Sequence, residues 1–332
     1  MKAPKLKETS KASAPAKVIL FGEHFVVYDR LAVVMAIDLR AHVAVKPRRD
    51  DKVLIRSNTM GLCGEFTFNG NCKMIGTFSD SVKLRPIYIA AKNVLDLSGA
   101  RVGLDITVES QIPVAAGLGS SAAVSVATTA AVGNLLEMNL SRDDIFKLAL
   151  ETERIVHENP SGVDPAISTY GGVLAYRRSK GIRELKVNID LPLVLGDTLI
   201  MRNTREMILH VSELRRLYPE VLDGIMDIGD LVANLAIKAI ESGNLKALGH
   251  LMNINHSLLY AIGVSNLAIE GLVWAAREAG ALGAKITGAG GGGCIIALSL
   301  PDRLHRVAEA IRMAGGIPLV VNTTWEGVRI EE

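Results

Sequence analysis

Hydrophobic and polar positions repeat along this chain with two periods, and the balance between them shifts part-way. Lys17-Val-Ile-Leu-Phe21 is a short apolar run that predicts a strand, and Leu31 to Val45 continues as β-branched, partly alternating sequence. Val53 to Phe68 does the same and ends on Asn69-Gly70, a hairpin signal. Ser79 to Leu97 has helical spacing. In Val102 to Ile112, Leu104, Ile106 and Val108 alternate with Asp105, Thr107 and Glu109, as in a half-buried antiparallel strand. An Ala/Val-rich helix follows to about Leu136, and a second helix from Ser141, with Ser141-Arg-Asp-Asp144 as a capping box, to about His157. Asn159-Pro160-Ser161-Gly162 breaks it.

Beyond Gly171-Gly172 further strands run to about Arg202, after which the period becomes helical: Met207–Leu217, Ile225–Ser242, Asn244–Ile262 and Ala268–Ala279. Ala284 to Thr287 predicts a strand leading into a glycine run. Cys294 to Leu300, Asp302 to Met313 and Ile317 to Asn322 then predict strand, helix and strand. Strand-rich sequence early and helix-rich sequence late predict two α+β domains, 1–190 and 191–332.

Composition narrows the function. The 332 residues are 49% hydrophobic and 22% charged, enough for an ordinary core. The balance of 37 basic and 35 acidic residues, net +2, lacks the excess of a nucleic-acid coat, and 4% aromatics argue against base-stacking platforms. Cys63, Cys72 and Cys294 form no CxxC pair, so they predict buried free thiols, with Cys63 facing Cys72 across the Asn69-Gly70 hairpin as the alternative. Met1 to Ala16 carries Lys2, Lys5, Lys7 and Lys11 with no apolar segment after them, which predicts a solvated tail instead of a signal peptide. Gln111 to Leu136 is uncharged, but its Pro, Gly, Ser and Thr content predicts a buried helix and no membrane span. A cytoplasmic protein is expected.

The 31 glycines are bunched, and the bunches carry the chemistry. Gly117-Leu-Gly119-Ser-Ser-Ala122 opens a helix, where glycines admit an anion close to the backbone and free N–H groups point outward. No Gly-Lys-[Ser/Thr] makes it a Walker loop. It fits the loose GxGxxA pattern with Glu137 beyond, which keeps a nicotinamide-dependent dehydrogenase as the rival, but the strand before it is amphipathic and Pro113-Val-Ala-Ala intervenes. Gly288 to Gly293 also fits GxGxxG, yet a strand follows where that fingerprint demands a helix. Glu153 and Asp164 flank the helix break and could hold a metal and accept a proton. Lys17 precedes an apolar strand, where it could steady developing negative charge.

Taken together these elements resemble one family. Ser13-Ala-Pro-Ala-Lys17-Val-Ile-Leu-Phe-Gly22-Glu23-His24-Phe-Val-Val-Tyr28, Pro113 to Ala123, and Lys285-Ile-Thr-Gly-Ala-Gly-Gly-Gly-Gly-Cys294 resemble the three motifs of the galactokinase, homoserine, mevalonate and phosphomevalonate (GHMP) kinase superfamily. Gly22-Glu23-His24, His157 to Asp164 with Ser168 to Gly172, and Arg202-Asn203-Thr204-Arg205 are most similar to the mevalonate-phosphorylating branch. Two departures stand out: Ala16 replaces a common glycine, and Asp29-Arg30-Leu31 replaces a usual Gly-x-Pro turn.

The resemblance implies a mixed β-sheet/helix N-terminal domain and a helix-rich ferredoxin-like C-terminal domain, with the active site in the cleft between them. It implies ATP phosphates on Pro113, Val114, Ala115, Ala116, Gly117, Leu118, Gly119, Ser120, Ser121, Ala122 and Ala123. Magnesium would be held by Ser121 and Glu153. Asp164 would take the proton of the mevalonate 5-hydroxyl, with Lys17 between them. Glu23, His24 and Thr204 would touch the substrate, and Gly288, Ala289, Gly290 and Gly291 would shape the site floor. Arg177, Arg178 and Arg202 are candidates by position for the one cation that meets the substrate carboxylate. Phosphomevalonate, a different mevalonate hydroxyl and another small alcohol stay open as substrates, and family members are often homodimers.

Overall fold

The computed structural model describes residues 6–75, 80–113, 116–156, 162–187, 189–201 and 203–332. The first half of the chain forms β1 (Ser10–Phe21), β2 (Ala32–Arg48), β3 (Lys52–Ser57), β4 (Leu62–Thr67), β5 (Cys72–Met74), α1 (Arg85–Ser98), β6 (Gly103–Ser110), α2 (Ser120–Leu135), α3 (Arg142–Val156), α4 (Val163–Tyr170), β7 (Val173–Arg177) and β8 (Gly181–Glu184). The second half adds β9 (Leu193–Asp197), α5 (Thr204–Leu217), α6 (Pro219–Glu241), α7 (Leu245–Ala261), α8 (Leu267–Glu278), β10 (Gly283–Ile286), β11 (Cys294–Leu298), α9 (Leu304–Met313), β12 (Ile317–Val321) and β13 (Arg329–Glu331).

The first sheet runs β13-β1-β2-β6-β3-β4-β5, with β7 and β8 continuing from the far end of β2. Its alternation is as the sequence implies: Leu104, Ile106 and Val108 are buried against α1 and α2. The helix α2 is buried on nearly all sides, which explains its uncharged sequence. No helix among the described residues is long and apolar enough to cross a membrane. The Ser141–Asp144 capping box forms reciprocally, with Asp144 N–H donating to Ser141 Oγ and Ser141 N–H to the Asp144 carboxylate.

The second sheet, β10-β11-β9-β12, is antiparallel throughout. Counted from β9, its strands come in the order 4-1-3-2 with helices between the first and second and between the third and fourth, the ferredoxin-like arrangement.

Three expectations are corrected. The segment before Lys17 is not a free tail from Ser10 on: it is the first half of β1, with Ala12, Ala14 and Ala16 fully buried. Small side chains are needed there because α2 packs across the strand. The Asn69-Gly70 turn forms, but register sets Cys72 opposite Phe66 and Cys63 opposite Arg56; both thiols are half-buried, and only Cys294 is fully buried. A division at residue 190 is too simple, since α6 residues Val232, Ala233 and Ala236 share the first core and β13 closes the first sheet beside β1.

Candidate active site

The phosphate-loop glycines are explained by what lies beneath them. Lys17 N–H donates to Leu118 O at 2.9 Å, which fastens the loop to the edge of β1. The Lys17 stem then runs under Gly119, where an added Cβ would lie 2.9 Å from Lys17 Cγ. Gly119 also has φ 75°, caps α2 and leaves it without a side-chain cap. The opening N–H groups of α2, at Ser120, Ser121 and Ala122, thus keep the positive helix end free for an anion, with the Ser121 side chain exposed beside them. Ala123 is a correction: its side chain is fully buried and its N–H donates to Gly119 O, so the cradle ends at Ala122. Ala116 and Leu118 are buried too and contribute backbone at most, Pro113 is half-buried, and Val114 and Ala115 lie outside the described residues.

Asp164 enters from α4. Gly162, at φ 79°, starts that helix in a left-handed conformation, and Asp164 sits in its first turn. Its Oδ1 lies 3.1 Å from Lys17 Nζ, and the Lys17 side chain is only 5% exposed while Asp164 keeps 31%. Ser168 Oγ donates to Pro15 O at 2.9 Å, which pins α4 to β1 close to that pair.

Glu153, near the end of α3, completes the acidic side. Burial, and next the charge of Asp164, push its carboxyl up to about 8, against the opposing pull of Lys17. Its Oε2 is buried and has no hydrogen-bond partner. An orphaned acidic oxygen near Asp164 and Lys17 fits magnesium, which takes one or two carboxylates and fills its shell with phosphate oxygens and water.

The Gly22-Glu23-His24 segment reads differently in space. Glu23 is a second correction: it does not open onto the cleft but is fully buried in an ion pair with Lys285, and its other oxygen accepts from Asn255 Nδ2 at 3.3 Å. His24, at φ 62°, holds Ala289 O through Nε2 at 2.8 Å. A carbonyl only accepts, so Nε2 carries the proton and Nδ1 is left as an acceptor; burial favours this neutral ring.

The glycine run is packed against backbone. A Cβ at Gly290 would meet Val264 O at 2.2 Å, and one at Gly292 would meet Ile200 O at 2.5 Å. Gly291 faces Met207, which brings the start of α5, and with it exposed Thr204, against the loop. Gly288 opens the turn at φ 87°. Arg177 is committed to Asp230 at 2.6 Å, Arg178 is exposed, and Arg202 lies outside the described residues. Asp29, the departure from a glycine, takes φ 60° and is held by Ser179 N–H on its carboxylate and by Arg177 on its carbonyl. Asp tolerates that conformation better than most side chains. Sequence reasoning missed Lys285, Thr287 and Asn255; the first two were visible only as neighbours of the glycines.

A helix N-terminus shaped for phosphate, beside a lysine–carboxylate pair, marks a small-molecule kinase. The GHMP kinases N terminal domain matches residues 85–172, and the GHMP kinases C terminal matches 236–315. The mevalonate kinase of Pyrococcus horikoshii is 44% identical over 97% of both chains, and that of Aeropyrum pernix 38% identical over 98% of this chain and all of its own. Among solved structures, L. major mevalonate kinase in complex with R-mevalonate superposes with a TM-score of 0.82 at 26% identity, covering 97% of this chain and 98% of its own. The chain belongs to the mevalonate kinases, a branch of the GHMP kinases.

Proposed function

We propose that this chain transfers the γ-phosphoryl group of ATP to the 5-hydroxyl of mevalonate, giving 5-phosphomevalonate and ADP, an early step of isoprenoid synthesis. The observation that carries this reading is the Lys17–Asp164 pair, 3.1 Å apart, beside the uncapped start of α2. The triphosphate lies along Gly117 to Ala122 with its charge on the helix N-terminus. Ser121 and Glu153 hold magnesium, which neutralises phosphate charge when bound.

Asp164, within about 2.6–3.2 Å of the hydroxyl, takes its proton as the oxygen–phosphorus bond forms and the bond to the β-phosphate bridging oxygen breaks. Lys17 steadies the charge gathering on the moving phosphoryl group, and its buried stem keeps it from wandering. His24 offers its Nδ1 lone pair to a substrate hydroxyl, and Thr204 lines the α5 side of the cleft. Most of the acceleration in such a site comes from positioning and charge neutralisation.

The test is ADP release across mevalonate, phosphomevalonate, homoserine and galactose, with phosphorus NMR of the product. Mevalonate is expected to be the preferred acceptor, with phosphate on its primary oxygen. Asp164→Asn is expected to lower kcat by about 10²–10⁴-fold. Preference for another alcohol, or full turnover by that variant, would overturn the assignment.

A further inference from the structure

Alternate residues of the run that leaves β10 face the first motif. Lys285 pairs with Glu23 with both side chains fully buried, Thr287 meets Ile19, and Ala289 O accepts from His24. Thr287 replaces a missing strand neighbour. β13 pairs with β1 only over Lys11 to Ser13, so among the described residues no strand continues along the same edge. There, Ile19 N–H donates to Thr287 Oγ1 at 2.9 Å, and the hydroxyl donates back to Ile19 O at 3.1 Å. Two residues earlier, the phosphate loop takes the Lys17 N–H. Both glycine loops are thus hung on one edge of β1, at Lys17 and Ile19.

The Glu23–Lys285 pair is an odd choice for plain cohesion. A buried ion pair loses most of its attraction to desolvation, and an apolar pair of similar volume packs as well or better. What an ion pair adds is register, because only one docking satisfies both partners. Each partner here has a second bond: Lys285 Nζ donates to Ile286 O at 2.5 Å, and Asn255 Nδ2 donates to Glu23 at 3.3 Å.

We propose that Lys285 and Thr287 are positioning residues, which fix the glycine loop of the second domain to the first motif and thereby set His24 against the alcohol substrate. The inference rests on the kinase reading above. The triphosphate cradle is built from α2 and the loop before it, so it does not depend on this docking. Loss of the docking therefore separates the two substrates, whereas a merely structural lesion lowers the active fraction and leaves both KM values alone.

The test compares wild type with the double variant E23Q/K285M, in which no charge is left buried and unpaired, and with T287V, which keeps shape but removes both bonds to Ile19. Folding is checked by thermal melts, and kcat and both KM values are measured with ATP and mevalonate. Each folded variant is expected to raise the mevalonate KM at least fivefold, and to lower kcat at least fivefold, with the ATP KM within twofold of wild type. Wild-type kinetics in either folded variant, or a lower kcat with both KM values unchanged, would overturn the proposal. T287V is isosteric, so it decides the matter even where the double variant does not fold. Should wild type reject mevalonate, the kinase reading fails first, and the same ratios are taken on the alcohol it accepts.

Discussion

At the scale of single residues, Glu153 couples the site to pH. Its carboxyl sits near 4.5 when free and at about 8 in the folded chain, through burial first and Asp164 second. The folded state therefore holds a proton that the unfolded state has released across that window. By linkage this residue's contribution to stability is greatest below pH 4.5 and declines as pH rises to about 8, by at most about 1.4 kcal/mol per pH unit. Glu153→Gln imitates the protonated form and abolishes the decline. In metal-free melts, the Tm difference between the variant and wild type should be near its minimum at pH 4.5 and grow in the variant's favour up to pH 8. A difference that stays flat with pH would show that Glu153 is ionised throughout. Added magnesium and ATP should shrink the difference by binding the carboxylate, and the variant should need more magnesium for half-maximal rate.

At the scale of elements, the join between β1 and α2 explains why one glycine cannot be spared. Gly119→Ala places a side chain at φ 75°, which costs about 1–2 kcal/mol, and sets its Cβ against the Lys17 stem. The fold can absorb that cost, but the ammonium group is displaced, and about 1 Å of misplacement can cost about 10²-fold in rate. A modest drop in Tm with a tenfold or larger loss of kcat is the expected pair of results; unchanged kcat would mean that Lys17 does not act on the phosphoryl group. This join was legible in the sequence, because glycines before a small-residue helix have a mechanical meaning. So was β6, whose polar and apolar residues alternate cleanly. The first half of β1 was not: Ser10, Ala12, Ser13 and Ala14 are buried by close packing, without the bulky apolar residues that mark a strand. Nor was the pairing of Glu23 with Lys285, since a charge that meets its opposite across more than two hundred residues leaves no local period.

At the scale of the whole molecule, the chain returns to where it began, and the return braces α4, the helix that carries Asp164. After β12, Thr324 N–H donates to Ala36 O, Gly172 N–H to Thr324 O, and Val328 N–H to Thr169 O, before β13 pairs with β1. Gly327 lies so close to Thr169 O that a Cβ there would stand 2.0 Å away. Arg40, nearly buried, clips this segment by donating to Glu326 O at 3.1 Å and Gly327 O at 2.7 Å, with Ser13 accepting two further bonds. The strap therefore holds the far end of α4, whose other end carries Asp164. Two truncations separate its parts. Deleting 329–332 removes β13 alone and leaves the Arg40 acceptors in place, so a small fall in Tm and near-normal kcat are expected. Deleting 323–332 strips both carbonyls from a buried guanidinium, at about 1–3 kcal/mol for each donor left unsatisfied, and frees the end of α4. That longer deletion should lower Tm much further and reduce kcat in whatever fraction stays folded. Equal melts and equal kcat for the two truncations would show that α4 stands without the strap, held by Ser168 and its packing against α2, α3 and the first sheet.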